Sequence, residues 1–208
     1  EYEEIMRQHN LPQWYLDSCN KIQYMFPKAH AVAYVTMAVR VGYFKIYYPL
    51  EFYAVWFSAR CKAYDFNAML GGLDTIIQRY EEIKRKKANR TEKISPKEKD
   101  IFNMLKIAIE MHERGFKFEN IDLYKSEATT FVVDHENKSL IPPFIVLDGL
   151  GENAAISVVE ARKDGKFKTK EDLLRRTKLN STNVDDLTKF GVLKNLGDTD
   201  QMSLFEFG

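Results

Sequence analysis

Cysteine is nearly absent from the sequence, with Cys19 and Cys61 alone among 208 residues. Two cysteines cannot build a disulfide scaffold, and the lack of a C-x-x-C pair removes the usual zinc-binding spacing. This usage favours a reducing compartment. The first residues, Glu1-Tyr2-Glu3-Glu4, also lack the basic and then apolar pattern of a signal peptide. Disulfide-rich secreted domains are therefore excluded as a class.

The motifs of nucleophilic and metal-dependent catalysis are missing as well. The sequence has no Gly-x-Ser-x-Gly, P-loop or HExxH pattern, and its four histidines are scattered. One D-x-D pattern, Asp198-Thr199-Asp200, lies in a polar stretch rather than on a strand, so we do not expect it to hold two metal ions. We predict no catalytic residue and no metal ligand within the chain.

Charge of either sign is not in excess, because 31 Lys and Arg face 30 Asp and Glu, a formal net charge of +1. This balance argues at first against a protein held to nucleic acid by bulk charge. Hydrophobic residues make up 45%, which is enough for a buried core. We expect no membrane span, because Arg40 and Lys45 interrupt the one apolar window of sufficient length.

Helical patterns dominate, and the predicted fold class is mainly α with a small β-hairpin. The run from Ala29 to Tyr48 is apolar nearly all round, which predicts a helix buried on most sides. Ser95-Pro96 with Glu98 predicts a capping box, and Gly115 a helix end. The β-branched segment 128–133 and Leu140-Ile141 predict the hairpin. Further helices are predicted at about 13–25, 50–59, 66–87 and 96–114, and again from 144 onward.

The strongest local signal is the segment Leu147-Asp148-Gly149-Leu150-Gly151, where an apolar stretch meets Gly-Leu-Gly and a helix starts at once. Two glycines allow a tight turn that exposes backbone N–H groups, and the helix dipole adds positive charge there. Such a turn can bind a backbone phosphate, while the plainer interpretation is a turn between two core helices. The segment, with Ala155, resembles the helix-hairpin-helix motif. The predicted DNA-binding residues are Gly149, Leu150, Gly151, Asn153, Arg162, Lys163, Lys166 and Lys168.

A basic run follows this turn, with eight Lys or Arg against three Asp or Glu between residues 161 and 180. Leu179-Asn180-Ser181-Thr182 is then typical of a turn and helix N-cap. The region from 179 onward is interpreted as a second, degenerate half of a tandem helix-hairpin-helix. The alternative is a solvated helix pair that only packs against the first half.

Two further elements could bind partners. Pro27 at the start of the long apolar helix would place Lys28 and His30 at its N-terminus, where a cation and an imidazole suit a triphosphate, although such a histidine can be purely structural. The chain closes with an apolar cluster on an acidic stretch, which must pack at home or on a partner. This cluster is similar to the peptide by which bacterial replication proteins bind the sliding clamp. The predicted clamp-binding residues are Gln201, Met202, Ser203, Leu204 and Phe205.

Together these features resemble the carboxyl-terminal end of the PolC-type alpha subunits of DNA polymerase III, the C-family replicative polymerases of low-GC Gram-positive bacteria. The hairpin alone is shared with repair proteins, but its combination with Lys28-Ala29-His30-Ala31 is diagnostic. The tail departs modestly, because it continues past Phe205 by Glu206-Phe207-Gly208. The resemblance covers nearly the whole chain and is carried by segments 14–19, 24–34, 111–116, 121–124, 139–144 and 201–205.

The resemblance implies four regions. Residues 1–120 would be the last part of the fingers domain, and 121–141 a connecting segment with the β-hairpin. Residues 142–196 would be the tandem helix-hairpin-helix that binds duplex DNA, and 197–208 a flexible tail that binds the clamp. Lys28 and His30 would face the incoming dNTP. Since the chain starts without Met and inside a helical pattern, we expect it to be a piece of a larger protein.

The parent would carry out template-directed DNA synthesis with 3'–5' proofreading, in the cytoplasm at the replisome. Its catalytic carboxylates and Mg2+ would lie in the palm, upstream of this chain, so the fragment is expected to bind no cofactor and to be inactive alone. Expected partners are primer-template duplex, dNTP, the sliding clamp and the rest of the polymerase, without a membrane. Two alternatives remain open. One is a freestanding, non-catalytic helix-hairpin-helix adaptor that recruits the clamp, and the other is a helical interaction protein without a DNA role.

Overall fold

The computed structural model describes residues 2–22, 28–89 and 92–199. The contacts divide the chain into two units, one up to Tyr47 and one from Tyr48 onward. The tail residues 200–208, which include the predicted clamp-binding segment, lie outside the described residues, as does Pro27. The predicted boundaries at 120, 141 and 196 all fall within the second unit and remain predictions.

Within its described residues, the first unit contains three helices, α1 (Glu3–Gln8), α2 (Gln13–Lys21) and α3 (Lys28–Tyr47). Leu16 on α2 is buried, but no residue of α3 is. The prediction that α3 is buried on most sides is wrong for the described residues, where Val35 and Val39 are more than 60% exposed. An apolar composition indicates that burying the helix would be favourable in free energy, but burial also requires a surface for the helix to pack against. No helix in the described ranges is long and apolar enough to cross a membrane.

The second unit begins with four helices: α4 (Pro49–Ala59), α5 (Phe66–Leu70), α6 (Gly72–Ala88) and α7 (Pro96–Glu113). The helix predicted over 66–87 is thus two helices, because the chain bends at Gly72, whose φ is +77°. The predicted capping box is confirmed at the start of α7. The Glu98 N–H donates to Ser95 Oγ at 3.1 Å, and the Ser95 N–H donates to Glu98 Oε2 at 3.0 Å.

Three short strands follow, β1 (Lys117–Phe118), β2 (Val132–Asp134) and β3 (Ser139–Ile141). β2 and β3 form the predicted antiparallel hairpin, with Val133 opposite Leu140. β1 pairs in parallel with β3, so the sheet order is β1-β3-β2. A two-residue strand carries no readable alternation, which is why the sequence pattern missed β1.

The remaining elements are short helices. They are a 3₁₀ turn (Phe144–Val146), α8 (Glu152–Ala161), a second 3₁₀ turn (Arg162–Asp164), α9 (Lys170–Arg176) and α10 (Ser181–Lys189). One continuous core cluster runs through the second unit from Leu50 to Leu193. The helices after residue 144 therefore share their apolar core with α4–α7 and the sheet.

Phe57 lies at the centre of this shared core. It is 0% exposed, and its ring centroid is 5.0 Å from that of Phe118 on β1 and 5.5 Å from that of Phe131 before β2. The neighbouring Ser58 Oγ accepts a hydrogen bond from the Phe131 N–H at 2.9 Å. His112 packs against Phe118, with the two ring centroids 5.7 Å apart, and burial lowers the pKa of His112. Helix α4 is thereby fixed to the three-stranded sheet, which precedes the predicted helix-hairpin-helix residues, hereafter the hairpin region (residues 142–196).

Candidate nucleic-acid interface

The turn that precedes α8 is built by backbone hydrogen bonds around one glycine. The Leu150 N–H donates to the Leu147 carbonyl at 3.2 Å, and Gly149, the third of these four residues, has a φ of +80°. Positive φ at the third position is typical of a type II turn, and glycine adopts it without steric cost. Leu147 and Leu150 are 4% and 3% exposed, so they hold the turn to the core. Asp148 and Gly149 remain on the surface.

The N-terminus of α8 is open. Gly151 occupies the N-cap position, has no side chain to offer, and its carbonyl accepts from the Ala154 and Ala155 N–H groups at 3.0 Å. In the part of the chain that the structure describes, no acceptor satisfies the N–H groups of Gly151, Glu152 and Asn153, and all three residues are exposed. Three N–H groups without a protein acceptor at the positive end of a helix are an arrangement that can donate hydrogen bonds to an anion.

The second turn, residues 177–180 between α9 and α10, is closed by contrast. Asn180 is the N-cap of α10, and its side chain accepts from the Asn183 N–H at 2.8 Å. Asn183 Oδ1 accepts in return from the Asn180 N–H, which completes a capping box. The Asn180 and Asn183 N–H groups at the α10 N-terminus are therefore already used by the protein, whereas, within the described residues, the corresponding Gly151 N–H at α8 is not. The second half thus offers an anion fewer free donors than the first, and in this physical sense it is degenerate.

The two hairpins are hydrogen-bonded to each other, each through its turn. Asn183 Nδ2 on α10 donates to the Gly149 carbonyl at 3.3 Å. The Lys178 N–H in the second turn donates to Ser157 Oγ on α8 at 2.8 Å. The first turn is thus held by the second helix pair, which supports a tandem unit rather than two independent hairpins.

Only part of the basic run faces solvent without an ion-pair partner. Across the described ranges, Lys166, Lys168 and Lys178 are exposed and form no salt bridge. Lys163 is exposed but paired with Glu160 on the preceding turn of α8, with Nζ 2.8 Å from Oε1. Lys170 is paired with Asp198 at 2.8 Å, which lowers the pKa of that carboxyl group.

Two arginines of the run face inward. The Arg162 side chain is 13% exposed, donates to the Leu123 and Ser126 carbonyls and pairs with Glu127 at 2.9 Å. The position of Arg162 therefore does not support its predicted contact with DNA. Arg176 donates to the Ala161, Gly165 and Lys166 carbonyls and to Asp172.

Asp172 is the acceptor at the centre of this inward network. The Lys168 N–H and then Arg176 lower the pKa of Asp172, so it remains ionised. The Arg175 guanidinium adds a further contact, with Nη2 2.6 Å from Asp172 Oδ1. These arginines fasten the loop between α8 and α9, and spacing alone could not separate them from the exposed lysines.

One ion pair at the turn that precedes α8 was not expected from the sequence. Lys97, in the first turn of α7, places its Nζ 2.7 Å from both carboxylate oxygens of Asp148. The two residues are 51 positions apart, so no local pattern could have related them. Asn183 is equally a contact residue of the turn that only the fold reveals.

The other predicted sites are placed in different parts of the chain. Lys28 begins α3, and both Lys28 and His30 are exposed, with the His30 ring centroid 4.4 Å from that of Tyr34. In the ranges 2–22, 28–89 and 92–199, no group of three or more His, Cys, Asp or Glu is arranged to hold a metal ion.

The start of the tail is attached to α9. Gly197 forms an isolated parallel β-bridge with Thr169. The Gly197 carbonyl accepts a hydrogen bond from the Lys170 N–H at 2.8 Å, and the Asp198 carbonyl accepts one from the Glu171 N–H at 3.3 Å. The predicted flexible tail of 197–208 therefore has its first two residues fixed to the hairpin region.

Comparison with known proteins defines the class first. The profile of the helix-hairpin-helix motif matches residues 115–202, which include both turns. The chain is thus mainly helical with a small three-stranded sheet, and it contains a helix-hairpin-helix motif within residues 115–202.

The particular relationship is closer. The chain is 48% identical over 205 residues to the PolC-type DNA polymerase III of Streptococcus pneumoniae serotype 2 (strain D39) and to that of Oceanobacillus iheyensis, and 49% identical to that of Bacillus cereus (strain ATCC 14579). Each alignment covers 99% of this chain and 14% of the relative. Over almost its whole length, the chain is homologous to a segment of PolC-type DNA polymerase III.

Proposed function

We propose that this chain is the duplex-binding part of a replicative DNA polymerase, and that its first hairpin binds a phosphate of the DNA backbone. The observation that carries the proposal is the open N-terminus of α8 in a chain that matches the helix-hairpin-helix profile. The 48% identity to PolC-type relatives extends across α1–α3 as well, which favours a polymerase segment over a freestanding adaptor.

The hairpin binds through its backbone. Leu150 is buried, so it acts by shaping the turn, while the N–H groups of Gly151, Glu152 and Asn153 donate to the phosphate. Contacts to phosphate carry no base information, which suits an enzyme that must bind every sequence it copies. The exposed Lys166 and Lys168 then add charge along the same backbone.

Duplex binding by the 208-residue chain tests this function. We expect a fluorescently labelled duplex to bind with an affinity that falls as salt rises, with a log–log slope between about −1 and −3, because few phosphates are neutralised. Fluorescence anisotropy across a salt series measures the slope. A chain without measurable duplex affinity at low salt contradicts the proposal.

Incoming-nucleotide contact is proposed for Lys28 and His30. Both are exposed at the N-terminus of a 20-residue helix, where a cation and an imidazole at the positive end of the helix dipole suit a triphosphate. Polymerisation also requires carboxylate-bound Mg2+, and we propose that the parent enzyme supplies it outside this chain.

Clamp binding is proposed for Gln201, Met202, Ser203, Leu204 and Phe205, on the sequence similarity alone. We expect Phe205→Ala to weaken binding to a bacterial sliding clamp at least about tenfold, because it removes a large apolar anchor. Surface plasmon resonance on immobilised clamp measures this change, with Phe207→Ala as the matched control. Duplex affinity should stay the same in both variants, and unchanged clamp affinity in Phe205→Ala would show that the tail binds otherwise.

A further inference from the structure

The ion pair between Lys97 and Asp148 joins the start of α7 to the phosphate-binding turn. The Lys97 ammonium lies 2.7 Å from both carboxylate oxygens, so it is centred on the whole carboxylate. The side chains are 53% and 79% exposed, and both residues line two open surface cavities of about 620 Å³ and 420 Å³. An ion pair this exposed contributes little to folding stability. We therefore consider its electrostatic effect on the neighbouring turn.

Asp148 is badly placed for a protein that binds phosphate there. It directly precedes Gly149 and is three residues from Gly151, so it lies at most about 11 Å along the chain from the nearest of the open N–H groups, that of Gly151. That distance is close to the screening length of about 8 Å at physiological salt. A free carboxylate would repel the phosphate, and it would be an internal acceptor near the same donors.

We propose that Lys97 is a positioning residue for DNA binding, which holds the Asp148 carboxylate away from the α8 N-terminus and neutralises it. The inference rests on the proposed phosphate site at the first hairpin. Lys97 acts through Asp148 rather than by touching DNA. The part of the chain predicted as fingers thereby contributes to the phosphate site of the hairpin region.

The experiment measures duplex affinity by fluorescence anisotropy at about 50 mM salt for matched variants of the 208-residue chain. Lys97→Met is expected to weaken binding about fivefold, and less at higher salt, because the substitution leaves the Asp148 carboxylate without a neighbouring cation. Lys97→Met with Asp148→Ala is expected to return to within about twofold of the unmodified chain. Lys97→Arg keeps the ion pair and is expected to bind as the unmodified chain does.

Lys84→Met is the control for bulk charge, because Lys84 is similarly exposed and paired with Glu81 at 2.8 Å on α6. It is expected to stay within about twofold of the unmodified chain. If Lys97→Met binds normally while the unmodified chain binds duplex, the inference is overturned and the proposed function stands. A loss that Asp148→Ala does not restore would mean that Lys97 contacts DNA itself, which also overturns it. Absence of binding by the unmodified chain overturns both.

Discussion

Gly151→Asp should lower the affinity of the chain for duplex DNA about 30-fold, on the order of 2 kcal/mol, without loss of folding stability. Gly151 has an extended backbone with φ −74° and ψ 159°, and nothing lies within 4 Å of an added Cβ. An aspartate fits there and is a preferred N-cap, so its carboxylate would accept from the first-turn N–H groups. The aspartate carboxylate would then occupy the N–H groups that the phosphate needs, and its negative charge would repel the phosphate.

Asn180→Asp is the matched control, because it adds the same charge at the same cap position of the other hairpin. The N-terminus of α10 is already capped by Asn180, so we expect a change of no more than about threefold. Anisotropy titrations give both affinities, and thermal unfolding verifies that each variant is folded. Equal losses in the two variants would mean that net charge, rather than the open α8 N-terminus, governs binding.

Phe57→Ala should destabilise the second unit by about 3–5 kcal/mol, the largest stability change we expect from a single substitution. The ring is fully buried between Phe118 and Phe131, and removing it leaves a cavity where α4 meets the sheet. Urea unfolding followed by circular dichroism measures the difference in free energy of unfolding, provided that the slope with urea stays the same.

Phe57→Leu serves as the control, since it keeps most of the apolar volume. We expect it to cost about 1 kcal/mol. Because one core supports both the sheet and the hairpin region, Phe57→Ala should also abolish duplex binding near its unfolding temperature while leaving it intact when cold. A loss below about 1 kcal/mol for Phe57→Ala would mean that the site collapses around the missing ring.

Local signals predicted much of this structure. The capping box at Ser95 and Glu98, the β2–β3 hairpin and the Gly-Leu-Gly turn each depend on a few adjacent residues, and each is present. Such features are set by backbone geometry and short-range hydrogen bonds, which a sequence displays directly.

Long-range features could not be predicted in the same way. The burial of Arg162 depends on carbonyl groups 36 and 39 residues away, and the Lys97–Asp148 pair spans 51. Composition likewise could not reveal that α3 has no buried residue. In each case the sequence indicates whether a residue favours burial or pairing. Whether it is in fact buried or paired depends on which other residues the fold brings next to it.

The attachment of Gly197 and Asp198 to α9 limits how far a clamp bound to the tail could stand from the DNA. From Asp198 to Gln201 the backbone can span at most about 11 Å, even fully extended. If the tail binds the clamp as proposed, a clamp contact at Gln201 would therefore lie within that distance of Asp198 and close to the hairpin region. The amino end of α9, to which Gly197 and Asp198 are hydrogen-bonded, would then fix the point from which the proposed clamp-binding segment begins.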